Sequence, residues 1–315
     1  MLNHTSYHSC LRALDHAEVL RIAASRPAGA LLIDAGIEIS GSLQAGLLMA
    51  GVCLGGAAEV SLTNEDADRL ASDVGVFVRT DDPLHACLGA QYAGWPVSVD
   101  KYFAMASGPM RMARGREDML LELGLQEAPQ LAAGVLESDR LPEPVVINEI
   151  AQQCQLPAEQ LALIIAPSGS LAGSIQVIAR SVETAMHKLH ALGFDVRTIF
   201  SAAGVAPLAP PARPDDTIGG IGRTNDAILY GGRVTLWVDC DQRAIDAVAD
   251  GVPSSASKDH GRPFAEIFKD YDYDFYQVDP HLFSPAVVTI INRRSGKTRR
   301  CGAIQSDVLR ASFGG

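Results

Sequence analysis

The chain contains no Cys-x-x-Cys pair, no His-x-x-x-His pair beyond His4/His8 and no apolar run long enough to cross a bilayer. Its six cysteines (10, 53, 87, 154, 240 and 301) stand singly. In a chain of 315 residues, thiols scattered this way are expected to be reduced and buried. That argues against a disulfide frame and against a zinc site. Lysine is scarce, at five of the 26 basic residues, and 37 acidic residues leave a net charge of −11. A nucleic-acid partner needs a basic face and is not expected. The start, Met1-Leu2-Asn3-His4-Thr5, lacks the basic-then-apolar order of a secretory leader. A cytoplasmic protein with no membrane association is the expectation.

What is present suits a soluble globular chain: 47% of residues are hydrophobic and 20% are charged. The length fits one large domain or two closely packed ones. Residues 8–25 read as an amphipathic helix, 30–34 as a buried strand and 43–52 as a helix. Residues 58–63 and 75–80 alternate like half-buried strands, and Pro83 opens a helix through Ala93. Residues 142–154 look helical and 161–166 like an interior strand. Residues 203–222 carry four prolines and four glycines without periodicity and read as a long surface loop. Two hairpins are expected near the end. One turns at Gly231-Gly232, between 227–230 and 234–238; the other turns at 294–297, between 287–291 and the strand leading to Ile304. Hairpins mixed with helices favour α+β over a doubly wound parallel sheet.

Two nucleotide motifs are only apparent. Gly296-Lys297-Thr298 ends like a phosphate-binding loop, but Ile291 stands where its first glycine belongs and a hairpin turn is expected there. Gly220-x-Gly222 begins a dinucleotide fingerprint whose third glycine is replaced by Asn225.

Gly219 to Gly232 is the most informative stretch, with five glycines around an Arg-Thr-Asn-Asp cluster. Glycine allows close backbone approach to a ligand, and Asn225 and Asp226 offer directed hydrogen bonds. A polar turn entering a hairpin explains the same residues equally well. A second feature lies upstream. Ile175, Ile178, Val182, Met186, Leu189 and Leu192 recur at spacings of three and four, marking one buried helical stripe. Gln176, Arg180, Glu183 and His187 share another stripe, where Cβ atoms three or four residues apart lie about 5–6 Å from each other. Arg180 and Glu183 are thereby placed to pair. On chemistry alone, a solvated surface ion pair worth under about 1 kcal/mol is the commoner use of that spacing.

Six segments, in order, resemble those of the methenyltetrahydromethanopterin cyclohydrolases: Gln44–Gly56, Lys101–Pro109, Ala166–Thr184, Gly219–Gly232, Tyr271–Tyr276 and Asp307–Gly314. The likeness covers nearly the whole chain. It implies a fold of two intertwined similar lobes with a pocket between them, placed here at 1–140 and 141–315, and a homotrimer. It also implies that Arg180 and Glu183 line the pocket and activate water, and that the substrate is a pterin with a cationic methenyl bridge opened to its formyl form.

That chemistry suits the pair. The bridging N–C–N carbon arrives electrophilic, so no metal or organic cofactor is expected. An ionised Glu183 can take the proton of attacking water. Arg180 holds the carboxylate charged and directed. Ser107, Gly108, Thr224, Asn225, Asp226 and Tyr230 are the candidate substrate contacts, with turn formation an equal alternative for the loop residues. Tyr271, Tyr273, Phe275 and Tyr276 serve stacking or, more commonly, core packing. Ala227 and Val205 depart from the family pattern, which bears on the substrate variant and not on the reaction class. The low lysine content points to a mesophilic bacterial pathway of one-carbon (formaldehyde) oxidation instead of a hyperthermophilic methanogen. A related pterin reaction, formyl transfer or methenyl reduction, and a non-catalytic pterin carrier are the competing readings.

Overall fold

A computed structural model of the protein describes residues 1–213 and 215–314. It divides into two compact units that alternate along the sequence. One is Met1–Ala58 with His85–Gln176, and the other is Glu59–Leu84 with Val177 to the end of the described chain. A single cut at 140/141 does not describe these units, because residues 141–176 pack in the first and residues 59–84 in the second. The cause is strand pairing: the hairpin at 59–80 completes a sheet whose other strands all come from beyond residue 198.

In chain order the strands are β1 (Ala23–Ser25), β2 (Leu31–Asp34), β3 (Glu59–Asn64), β4 (Val74–Thr80), β5 (Trp95–Val99) and β6 (Tyr102–Ser107). They continue as β7 (Ala132–Glu137), β8 (Leu161–Ala166), β9 (Ile199–Pro207), β10 (Arg233–Val238), β11 (Val287–Asn292) and β12 (Thr298–Gly302). The first unit forms a six-stranded sheet in the order β1-β2-β8-β7-β6-β5, and the second forms β12-β11-β10-β9-β4-β3. Mixed sheets with helices make this an α+β fold, as the hairpins suggested.

In the first unit β2, β8 and β7 run parallel. Helices α1 (Leu2–Ala13) and α2 (Leu43–Cys53) pack against Leu31 and Ile33 on one face of the sheet. Leu32, Leu163 and Ile165 point the other way, into a cluster with α4 (Pro144–Gln153), while α3 (Met110–Arg114) follows β6. Side chains alternate across a strand, so covering both faces makes β8 apolar at every position, Leu-Ala-Leu-Ile-Ile-Ala, and wholly buried. All six cysteines are free and five are buried. Burial pushes the Cys10 thiol up to about 12, so it packs as a small neutral group.

The chain leaves this unit within α5 (Leu171–Ile178). In the second unit only β10 and β11 are parallel; β11 and β12 form the antiparallel pair expected there, and β3 and β4 are also antiparallel. Helix α6 (Ser181–Ala191) packs on β9 and β10. Helix α7 (Thr217–Gly231) packs on β9, α8 (Phe264–Asp270) and α9 (Ser306–Phe313).

Two expectations fail in this unit. Residues 203–222 are not one loop: 199–207 are strand and 217 onward is helix. There is no strand at 227–230 and no hairpin at Gly231-Gly232, because Gly231 closes α7 and Gly232 leads into β10. The Asp216 carboxylate accepts from the Gly219 N–H at 2.8 Å and starts the helix. Gly222 then admits α8, since a Cβ there would come within 2.8 Å of the Ala265 Cβ. A helical glycine costs about 1 kcal/mol relative to alanine, and close helix packing offsets it.

Candidate active site

The helix breaks at Ala179-Arg180. The single helix expected over 175–192 is two, α5 ending at Ile178 and α6 beginning at Ser181. Arg180 is the N-cap of α6, at φ −81° and ψ 6°, in the sparsely occupied bridge region where many active-site residues sit. Glu183 lies in the first turn of α6. The partial positive charge of a helix N-terminus favours a carboxylate there. Gln176 is therefore on a different helix from Glu183 and His187, and the expected four-residue stripe does not exist.

Both key side chains are buried, Arg180 at 5% and Glu183 at 4% exposure. A solvated surface pair is ruled out. Burying two charges costs several kcal/mol each before compensation, so this arrangement is a poor device for stability and is suited to chemistry. Two features hold α6 in place. Gly204 in β9 lets the helix start close to the sheet, since a Cβ there would lie 2.7 Å from the Ser181 Oγ and 2.9 Å from the Val182 Cγ2. At the other end the buried Lys188 donates to the His281 carbonyl at 2.6 Å. Burial lowers the Lys188 amine to about 8 against the opposing effect of Asp279.

The Thr224–Tyr230 candidates all lie on α7, within the second unit. Thr224 is buried and donates back to the Gly220 and Ile221 carbonyls at 2.9 and 3.1 Å. Asn225 donates to the Ile221 carbonyl at 2.8 Å, leaving its carbonyl oxygen as the group for an outside donor. Asp226 is fully buried, and its Oδ1 accepts from the Phe264 N–H at 2.8 Å. Tyr230 donates to the Arg262 carbonyl at 2.6 Å and accepts from the Gly261 N–H at 3.2 Å. Ser107 and Gly108 belong to the first unit. The buried Ser107 hydroxyl meets the Cys53 thiol at 3.2 Å, and the Gly108 N–H donates to the Ala90 carbonyl at 2.8 Å. Of the aromatic run, Phe275 stacks on Phe264 and lies tilted against Phe268, while Tyr276 is exposed.

Burial raises the Asp226 carboxyl to about 7; the Ser312 hydroxyl within reach and the Phe264 N–H counter this only in part. Ser312 makes no well-aligned bond to Oδ2. A folded pKa above the unfolded value means the fold favours the protonated acid. That contribution is complete below pH 3.8 and is lost as pH rises towards about 7. Asp226→Asn keeps the acceptor and cannot ionise. Melting curves across this range should show wild type losing stability relative to the variant, by at most about 4 kcal/mol for such a shift. Parallel curves would mean that Asp226 does not titrate there.

Glu137 is a carboxylate that the sequence reading passed over. It ends β7, where its Oε1 accepts from Gln176 Nε2 at 3.0 Å and its Oε2 from Ser168 Oγ at 3.2 Å. Ligands of open sheets gather at the carboxyl ends of parallel strands, and this is that end of β7 and β8. An acidic residue closing the apolar run Ala132-Ala-Gly-Val-Leu was the available signal. Among the described residues, no group of three or more His, Cys, Asp or Glu side chains is arranged to hold a metal ion. No helix among them is long and apolar enough to cross a membrane.

Comparison with known proteins adds a whole-chain match. The profile of the family described as cyclohydrolase (MCH) matches residues 1–313. The chain is 60% identical over 290 residues to a methenyltetrahydromethanopterin cyclohydrolase of Rhodopirellula baltica, covering 91% of this chain and 87% of that protein. It is 44% identical to the Methylobacillus flagellatus protein of that name, covering 96% and 91%. Identity to the Methanothermobacter marburgensis protein of that name is 40%, covering 96% of each.

Proposed function

The chain belongs to the cyclohydrolase (MCH) family, and from that premise we propose that Glu183 and Arg180 activate water to open N5,N10-methenyl-tetrahydromethanopterin to its N5-formyl derivative. The burial of both charged side chains at the start of α6 carries this reading. Water attacks the methenyl carbon while Glu183 takes one of its protons, giving a neutral carbinolamine. The carboxyl returns the proton to N10 as the C–N10 bond breaks, and the carbinol O–H proton leaves to solvent as the C=O bond forms, leaving the formyl group on N5. Arg180 orients the carboxylate and the water through its planar fork. Its charge, set against that of Glu183, keeps the site from repelling a cationic substrate.

The substrate carbon is electrophilic before it binds, so the reaction proceeds without metal or organic cofactor. Asn225 supports pterin binding through its free carbonyl oxygen. Thr224, Asp226, Tyr230, Ser107 and Gly108 support it by shaping the backbone around them. The assembly is a homotrimer in the cytoplasm, serving bacterial one-carbon (formaldehyde) oxidation; the relatives from Rhodopirellula and Methylobacillus, at higher identity than the Methanothermobacter protein, support that placement.

Purified protein mixed with the methenyl-pterin, with a chelator and no nucleotide, should bleach the near-ultraviolet methenyl absorbance over many turnovers. Bleaching of one equivalent would indicate a carrier. Dependence on NAD(P)H would indicate a reductase, and loss of turnover on chelation would indicate a metal. Each of these outcomes defeats the proposal.

A further inference from the structure

A cavity of about 440 Å³ opens at the other end of the first unit's sheet. Its walls are the end of α3, the segment 126–129 before β7, and Cys154 and Gln155 before β8. Glu137 and Ser168 mark the carboxyl ends of those strands, whereas this cavity lies at their amino ends. The five steps from Ala132 to Glu137 separate the two by about 16 Å at the usual strand rise. Its size falls within the range of about 300–1,000 Å³ typical of small-molecule sites.

Two guanidinium groups, Arg114 and Arg116, line it. This acidic chain usually sets its arginines against carboxylates, as with Arg233–Glu65, Arg262–Asp270 and Arg299–Asp250. The nearest comparison is Arg111, one turn before Arg114. It is fully buried, salt-bridged to Glu117, and bonded to the carbonyls of Leu88, Gly89 and Ala90.

Arg114 has no such compensation. Its Nε donates to Gln153 Oε1 at 2.9 Å and its guanidinium lies 4.7 Å over the Trp95 ring. No hydrogen bond engages its terminal nitrogens among the described residues. Burial lowers its pKa, against Glu117, and the neighbouring Arg116 adds to the lowering. Arg116 is exposed and makes no hydrogen bond or ion pair among the described residues. The one carboxylate in the wall, Glu127, already accepts from the Leu2 N–H at 2.9 Å and from Asn3 Nδ2 at 2.7 Å. The Cys154 thiol donates to the Met110 carbonyl, and burial pushes it up to about 12, so it brings no negative charge.

We propose that this cavity is a binding site for a compact phosphate dianion, held between the Arg114 and Arg116 guanidinium groups. Trp95 and Gln153 hold the Arg114 fork in one orientation while its outer edge stays open, the arrangement suited to bidentate contact with phosphate oxygens. Gln126 and Gln155 line the same cavity with neutral polar groups.

The test is titration calorimetry of the full chain with inorganic phosphate and with glycerol 3-phosphate, at constant ionic strength set with chloride. Wild type should bind saturably at one site per chain. Arg116→Gln changes an exposed residue without bonds, so it should fold normally and lose about tenfold or more in affinity, as expected on removing a charge-assisted hydrogen bond. Arg114→Gln should lose more, and cyclohydrolase turnover of Arg116→Gln should match wild type. Tighter binding of the ester identifies a phosphorylated metabolite as the ligand, and tighter binding of inorganic phosphate identifies the free ion. Absence of saturable binding to wild type, or equal affinity in wild type and Arg116→Gln, overturns the proposal.

Discussion

Glu183→Gln lowers cyclohydrolase turnover by about 10²–10⁴-fold, the usual worth of general base catalysis, while substrate affinity stays within a few-fold. The substitution keeps the size and the hydrogen-bonding oxygen of a side chain that is only 4% exposed, so packing around α6 is retained. What disappears is the group that accepts the proton as water attacks, an interaction made only in the transition state. Losses of that kind appear in kcat and kcat/KM together and leave KM little changed. The variant also leaves Arg180 buried beside a neutral amide, and unbalanced buried charge is costly. Melting curves should therefore accompany the kinetics, to separate lost folding from lost chemistry. A folded variant with near-normal hydrolysis would show that another group takes the proton.

Arg180→Lys should cost about tenfold to hundredfold in kcat, the equivalent of one charge-assisted hydrogen bond of roughly 1.5–3 kcal/mol. Lysine preserves the charge but replaces a planar, multi-donor fork with a point charge on a flexible stem. If Arg180 served only to balance the charge of Glu183, the lysine variant would be nearly as active as wild type. The double variant sharpens the comparison. Residues that act as one unit have strongly non-additive effects, so Arg180→Lys in the Glu183→Gln background should lose little beyond Glu183→Gln alone. Full additivity would mean that the two side chains act independently and would remove the basis for pairing them.

The two sites differ in how they treat charge. At α6 the protein buries a cation and an anion together near a helix start. At α3 it leaves Arg114 without a carboxylate of its own, next to Arg116, in a protein of net charge −11. Uncompensated positive charge in a concavity favours an anion from solution, so salt should weaken phosphate binding at α3 more than pterin turnover at α6.

Patterns that depend on near neighbours were legible. The apolar run Leu161–Ala166 is an interior strand, Leu43–Cys53 is a helix, and the 287–302 hairpin turns where expected. The breadth of the family resemblance across six segments, and the Arg180/Glu183 spacing, were likewise present in the residues alone. Helix α7 was misread because glycines and polar residues resemble a turn when the surfaces they pack on are out of view. Gly222 is accounted for only once Ala265, 43 residues later, lies against it. The break at Arg180 was equally hidden, since helical periodicity runs through it without interruption.

Burial of Arg180 and Glu183, the mixing of the two halves into interleaved units, and the Arg114 and Arg116 guanidiniums that no carboxylate among the described residues engages arise from contacts between residues far apart in the chain. Spacing along a chain records which side chains share a face. Whether that face meets solvent, sheet or substrate depends on the surfaces the rest of the molecule brings to it.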